Sequence, residues 1–283
     1  MVLGGKSGGA EIRPAGKGLF GGGMNLLTGK KALVTGARRG IGGEIARVFA
    51  ENGADVGVND IERDGEAEKT LAAVKKLGRK ATWHQADIGA SAQRERMFDE
   101  FLKEHGRIDI LVNNAVRAQM TPFSELEEAD WDHQIGHALK GYVFCAKRAA
   151  NEMVKQGGGG RIISISSVHS FRAWPKDTIY GIVKAGLNRL VLSMAVDLAG
   201  TGITANCIAP GYIDSRVLTA DQEPNRGGKG YADHAIPLIP ARRGGLPRDI
   251  ANMALFLASD LSSYVNGETI LVDGGLQAGG TPD

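Results

Sequence analysis

Short apolar runs alternate along this chain with longer stretches in which apolar residues recur every third or fourth position, the two periods of buried strands and amphipathic helices. Ala32-Leu33-Val34 reads as a first strand ending at a glycine-rich turn, and Gly42 to Asn52 carries Ile45, Val48 and Phe49 at helical spacing. The pattern then predicts a strand over 55–58, a helix over 63–77, a strand over 81–85, a helix over 91–104 and a strand over 108–112. A long helix over 130–155, a strand over 161–165, a helix over 178–199 and strands over 203–208 and 269–272 follow. Such alternation predicts an α/β fold: a doubly wound parallel sheet with helices on both faces. No repeat or linker divides residues 24–283, which are expected to form one domain, whereas residues 1–23, glycine-rich and without period, read as a flexible leader.

Composition excludes several classes of function. With 283 residues, 42% hydrophobic and 23% charged, the chain has material for one sizeable core. The net charge is +2 and the basic residues are scattered, with Arg38-Arg39 and Arg242-Arg243 too short for a nucleic-acid stripe. No apolar run approaches the roughly 20 residues of a membrane span, and the N-terminal region lacks a signal-peptide core. Cys145 and Cys207 sit inside apolar periodic segments, which fits small core residues in a reduced, cytoplasmic setting.

Candidate chemistry lies in three places. The turn Thr35-Gly36-Ala37-Arg38-Arg39-Gly40-Ile41-Gly42 falls between a strand and a helix, where glycines let the backbone approach a pyrophosphate at the helix N-terminus. Asp60 ends the second strand, at a suitable separation for a carboxylate that binds the adenosine ribose. Tyr180 and Lys184 stand four positions apart on a predicted helix and so share one face. At about 4 Å and an effective dielectric of about 20, the ammonium would favour the phenolate by on the order of 4 kcal/mol, or about three pKa units.

Asp87 after the third strand, Asn113-Asn114-Ala115 after the fourth, Ser167 thirteen positions before Tyr180, Pro210-Gly211-Tyr212-Ile213 and Val272-Asp273-Gly274-Gly275 complete an ordered series. In it the chain resembles the short-chain dehydrogenase/reductase family over residues 25–277. The resemblance implies an NAD(P)-dependent oxidoreductase that moves a hydride between the nicotinamide and a secondary alcohol or ketone. It makes Ser167, Tyr180 and Lys184 catalytic. It implies cofactor binding by Gly36, Arg39, Gly40, Ile41, Asp60, Asp87, Asn113, Ala115, Tyr180, Lys184, Pro210, Gly211, Ile213 and Ser215. Asp87 would contact the adenine, Asn113 and Ala115 would flank the cofactor, Ile213 with Ser215 would hold the nicotinamide amide, and Lys184 would also bind its ribose. The resemblance further suggests a homotetramer built on the two long helices.

Two positions depart from that pattern. Val116 replaces the glycine that usually closes Asn-Asn-Ala-Gly, and Ala138 stands where the family has an asparagine that helps hold a water in the proton relay behind the lysine. His133 and His137 have the spacing of a helical zinc pair, but Gln134 replaces the expected glutamate, so no metal is assigned. Asp60 favours NAD, by accepting from both ribose hydroxyls and repelling a 2′-phosphate, while Arg38 and Arg39 favour NADP as the alternative. The rival functions are an NADPH-dependent 3-oxoacyl-thioester reductase and a dinucleotide-binding regulator without turnover. Residues 214–243, mixing charges with glycines, read as a lid over a small alcohol or carbonyl substrate. His169, Arg172 and Trp174 are candidate pocket residues.

Overall fold

The computed structural model describes residues 25–214 and 236–279; the leader, Ser215 and most of the expected lid lie outside the described residues. Seven strands form one sheet: β1 (Lys31–Val34), β2 (Asp55–Asp60), β3 (Ala81–Gln85), β4 (Ile110–Asn113), β5 (Gly160–Ile165), β6 (Ile203–Pro210) and β7 (Thr269–Val272). Their order is β3-β2-β1-β4-β5-β6-β7, and every pairing is parallel. Ala32, Leu33 and Val34 are all fully buried, as a central strand covered on both faces requires.

Three helices cover one face: α1 (Gly40–Glu51), α2 (Gly65–Lys76) and a helix over Pro247–Ala258. Ile45, Phe49, Leu71, Ile250 and Leu257 pack there against Val34, Val56 and Val112. Asp64 starts α2 by accepting from the Glu66 and Ala67 amides, and Glu66 with Glu68 then Lys75 with Lys76 complement the helix dipole. The opposite face carries α3 (Ser91–His105), α4 (Glu128–Gln134), α5 (Gly141–Gln156) and α6 (Thr178–Asp197). Phe98, Phe101, Tyr142, Met153 and Leu187 fill that side. The helix over 247–258, hereafter α7, is absent from the hydrophobic reading above. Pro247 opens it, and the Asp249 carboxylate accepts from the Leu246 amide at 2.8 Å.

The single helix expected over 130–155 is three pieces. Between α4 and α5 the chain makes a π turn over Ile135–Lys140, so that Ala138 faces Ile179 and Val183. By length and composition alone helix α6 would pass for a membrane span, with a mean hydropathy of 1.3 over an 18-residue window. Its buried face is anchored in the domain through Ile179, Val183, Lys184, Leu187 and Val191.

Candidate active site

Strand order reverses between β1 and β4, and the crevice outside their C-terminal ends is where such sheets bind ligands. At this switch point the Thr35 hydroxyl accepts from the Asn114 amide at 3.0 Å and the Ala115 amide at 3.2 Å. The Asn114 side chain donates to the Thr35 and Gly36 carbonyls at 3.1 and 2.9 Å. Asn114 thus stitches the glycine turn to β4, a role that the sequence reading passes over although its motif contains the residue. Gly36 has φ +61°, and a Cβ there would meet the Ala115 Cα at 2.6 Å. A Cβ at Gly40, with φ +62°, would point into open space. Arg39 is exposed and makes no side-chain cap, and no acidic residue lies in the first turn of α1, so the Gly40 and Ile41 amides, ahead of the first helical bond from Gly43 to Arg39, remain free for an anion. This cradle fits the pyrophosphate of a dinucleotide.

Asp60 is the last residue of β2, its carboxylate accepting from the Ile61 amide at 2.8 Å. Arg38 does not pair with it: the guanidinium is engaged by Glu62 and Asp64. Asp87 accepts from the Gly89 amide and meets His137 Nδ1, both at 2.8 Å. His137, whose ring also abuts that of His133, is therefore spent on Asp87. Ile61, Gln85, Asp87, Arg117 and His137 line a cleft of about 570 Å3. Asn113 is buried, donating to the Tyr142 carbonyl at 3.3 Å.

At the far side of the crevice, Gly211 follows Pro210 and donates to the Val272 carbonyl at 3.1 Å. A Cβ on Gly211 would strike the Asp273 Cα at 2.7 Å, so the two terminal motifs are in contact. Ile213 bridges to Gly245 beside them.

Ser167 leaves the end of β5 as the cap of a short turn over Val168–Ser170 and accepts from the His169 amide at 3.3 Å. Tyr180 and Lys184, one turn apart on α6, face it. Lys184 is 1% exposed, and its ammonium donates to the Ile165 carbonyl at 2.7 Å. The Ser166 hydroxyl fixes the helix from beneath through the Lys184 carbonyl at 3.1 Å and the Asn188 amide oxygen at 2.7 Å. Burial pushes the Lys184 ammonium down to about 8.

The expected phenolate is not what this geometry favours. Lys184 Nζ lies 5.5 Å from the centre of the Tyr180 ring. Burial raises the Tyr180 phenol, a hydrogen bond with Ser167 opposes that rise, and the Asp177 carboxylate adds to it. Desolvation outweighs the lowering anticipated from spacing, and the phenol lies above its ordinary value.

A tyrosine hydroxyl, a serine and a buried ammonium stand at the C-terminal edge of a Rossmann sheet, the arrangement the sequence reading expects of a nicotinamide-dependent oxidoreductase. A family profile described as enoyl-(acyl carrier protein) reductase matches residues 36–277. The chain is 36% identical to a 3-oxoacyl-(acyl-carrier-protein) reductase of Staphylococcus epidermidis, over 87% of this chain and 98% of the relative. It is also 36% identical to a 2-dehydro-3-deoxy-D-gluconate 5-dehydrogenase of Dickeya dadantii, over 88% and 96%. Among solved structures it superposes on acetoin dehydrogenase from Enterobacter cloacae with a TM-score of 0.81 at 32% identity, covering 90% of this chain and 98% of that one. The chain belongs to the short-chain dehydrogenase/reductase family. It is an NAD(P)-dependent enzyme that interconverts alcohols and carbonyls.

Proposed function

We propose that Ser167, Tyr180 and Lys184 carry the reaction on a small secondary alcohol or its ketone, with NAD as the preferred cofactor. The observation that supports the first part is the meeting of the three side chains outside the C-terminal end of β5. The bound nicotinamide supplies or accepts the hydride. Ser167 orients the substrate oxygen, and Tyr180 gives that oxygen its proton in reduction or takes it in oxidation. Lys184, held on the Ile165 carbonyl by one N–H, keeps two further N–H donors for the cofactor ribose.

Arg38 supports the NAD preference, because Glu62 and Asp64 already pair with it, while Asp60 at the end of β2 makes no ion pair among the described residues. Absorbance assays of the purified chain with each cofactor against a panel of alcohols and ketones test both parts. The expected outcome is turnover with a higher kcat/KM for NAD(H), and a narrowed or inverted ratio in Asp60→Ala. A parent that prefers NADP(H) would overturn the cofactor assignment.

The acyl-carrier-protein reductase among the relatives favours a second reading, reduction of 3-oxoacyl thioesters with NADPH. Acetoacetyl thioesters in the same assay separate the two. The exposed apolar residues Ile182, Leu192 and Val196 on α6, with Phe144 on α5, suit burial against further copies in a cytoplasmic homotetramer. Light scattering of the purified chain tests the assembly. The expected lid, Ile213 with Ser215 at the nicotinamide amide, and Asp87 at the adenine belong to the same proposal.

A further inference from the structure

The Lys184 ammonium is buried, yet among the described residues a single hydrogen bond meets it, from Nζ to the Ile165 carbonyl at 2.7 Å, and no carboxylate pairs with it. Burial leaves it at about 8, still charged at neutral pH, and a buried cation without compensation is costly. Its titratable neighbours bring no opposite charge. Cys207 on β6 is pushed up to about 12 by burial and stays a thiol, and burial raises the phenols of Tyr180 on the same helix and Tyr142 on α5 as well. What meets the ammonium instead is two aromatic faces: Nζ lies over the Tyr142 ring and over the Tyr180 ring, 5.5 Å from the centre of each.

A ring face attracts a cation through its quadrupole, and does so more strongly where water is excluded. Unlike a carboxylate, it takes none of the ammonium's N–H donors, so both donors that Lys184 keeps beyond Ile165 stay available. Tyr142 is fixed where it stands. It is fully buried in the core that also holds Cys145, Leu187 and Cys207, and its carbonyl accepts from Asn113 Nδ2 at 3.3 Å. The π turn ahead of α5 takes about one residue more than an α turn and so rotates α5 by about 100° against α4, which brings Tyr142 to bear on α6. The Tyr142 hydroxyl has no partner among the described residues, so the ring is the part of the side chain that this site uses.

We propose that Tyr142 is a positioning residue for the reaction: the face of its ring holds the Lys184 ammonium charged and in place while leaving the free N–H donors to the cofactor. This rests on the reading of Lys184 as a ribose ligand beside Tyr180. The sign follows from the chemistry. A π face favours the ammonium over the neutral amine, so removing it lets Lys184 lose its proton at lower pH, and the alkaline loss of activity moves down with it. A leucine at 142 would still fill the core with apolar atoms but would present no such face.

The test titrates protein labelled with ε-13C-lysine by NMR, the Lys184 signal being the one missing from Lys184→Met, and follows the alkaline limb of kcat/KM by nicotinamide absorbance. Tyr142→Leu should move both downward by about one pH unit, and Tyr142→Phe, which keeps the ring, should return both to within about 0.3 pH unit of the parent. Should the leucine variant fail to fold, phenylalanines bearing one to three ring fluorines, incorporated at position 142, keep the shape and weaken the face. Lys184 should then titrate lower with each fluorine. An unmoved Lys184 in Tyr142→Leu or along the fluorine series overturns the proposal. So does a Tyr142→Phe shift as large as that of leucine, which would assign the effect to the hydroxyl, or an NMR shift that the alkaline limb does not follow. No turnover of any alcohol or carbonyl by the parent overturns the oxidoreductase reading, and the NMR titration then decides the ring's hold on Lys184 by itself.

Discussion

In the proposed site, the nucleotide side of the crevice and the catalytic side are made of different materials. Around Gly36 and Gly40 the working groups are backbone amides, and side chains such as Thr35 and Asn114 serve to hold the backbone in place. Around Ser167 the working groups are side chains, and backbone such as the Ile165 carbonyl serves to hold them. The difference predicts which changes each side tolerates. Truncating a side chain should be most damaging to rate on the catalytic side, and adding one should be most damaging to binding and stability on the nucleotide side.

The largest effect is expected at Tyr180. Tyr180→Phe should lose roughly 10²–10⁴-fold in kcat while binding cofactor nearly as well as the parent, read by stopped-flow rates and a fluorescence titration. Full turnover would remove the phenol from the chemistry and erase the contrast.

Next comes acid. At the β3 edge of the nucleotide side, His84 Nε2 and His105 Nε2 share the Thr82 hydroxyl at 2.7 and 2.8 Å, and both rings are buried against Phe101. Burial pushes both imidazoles from 6.5 down to about 4. The unfolded chain therefore binds more protons between those values, and stability falls as pH drops from about 6.5 to about 4, by on the order of 3 kcal/mol for each ring. Urea midpoints across that window check this, and His105→Gln should flatten the decline. A flat profile in the parent would mean that the rings are solvated.

The glycines sharpen the contrast further. Gly36→Ala combines a left-handed backbone with a 2.6 Å clash against Ala115, and should cost about 2–4 kcal/mol of stability. Gly40→Ala has the backbone penalty alone, about 1–2 kcal/mol, and its methyl enters the space left for the phosphates. Cofactor titration should find Gly40→Ala folded but weakened in binding. Equal stability losses would mean that the turn relaxes around the added carbon.

The smallest effect is stabilising. The Tyr142 hydroxyl is fully buried with no hydrogen-bond partner among the described residues, and the Lys184 ammonium lies 5.5 Å from its ring. Tyr142→Phe should gain about 1 kcal/mol in chemical denaturation, since an unpaired buried hydroxyl is lost. A loss instead would reveal a bound water at that hydroxyl.

The same contrast explains what could be read from the sequence. Glycine spacing between a strand and a helix encodes backbone function directly, so the turn and Asp60 were legible, as was the pairing of Tyr180 with Lys184 on one helical face. Contacts made across elements were not. Nothing in the spacing says that the Ile165 carbonyl takes the ammonium, that His137 turns to Asp87, or that desolvation dominates the phenol. The π turn was hidden because Ile135 to Lys140 keeps a helical apolar rhythm. Helix α7 did leave a signal, Pro247 with Asp249 ahead of Ile250, Ala251, Ala254 and Leu257, obscured by the charged, glycine-rich stretch before it.

The all-parallel sheet also sets how the chain must fold. No neighbouring strands are joined by a hairpin, and the contact that anchors β1 beside β4, from the Lys31 amide to Asp109, spans 78 residues of chain. Loop-closure entropy is therefore spent before any central pairing is gained, a topology that folds on the slower, millisecond-to-second side of small domains. During synthesis the first three strands emerge without the neighbour that completes the glycine turn. The nucleotide crevice comes into being only when β4 arrives, so an N-terminal fragment ending before residue 110 should have no dinucleotide affinity, however perfect its glycine motif.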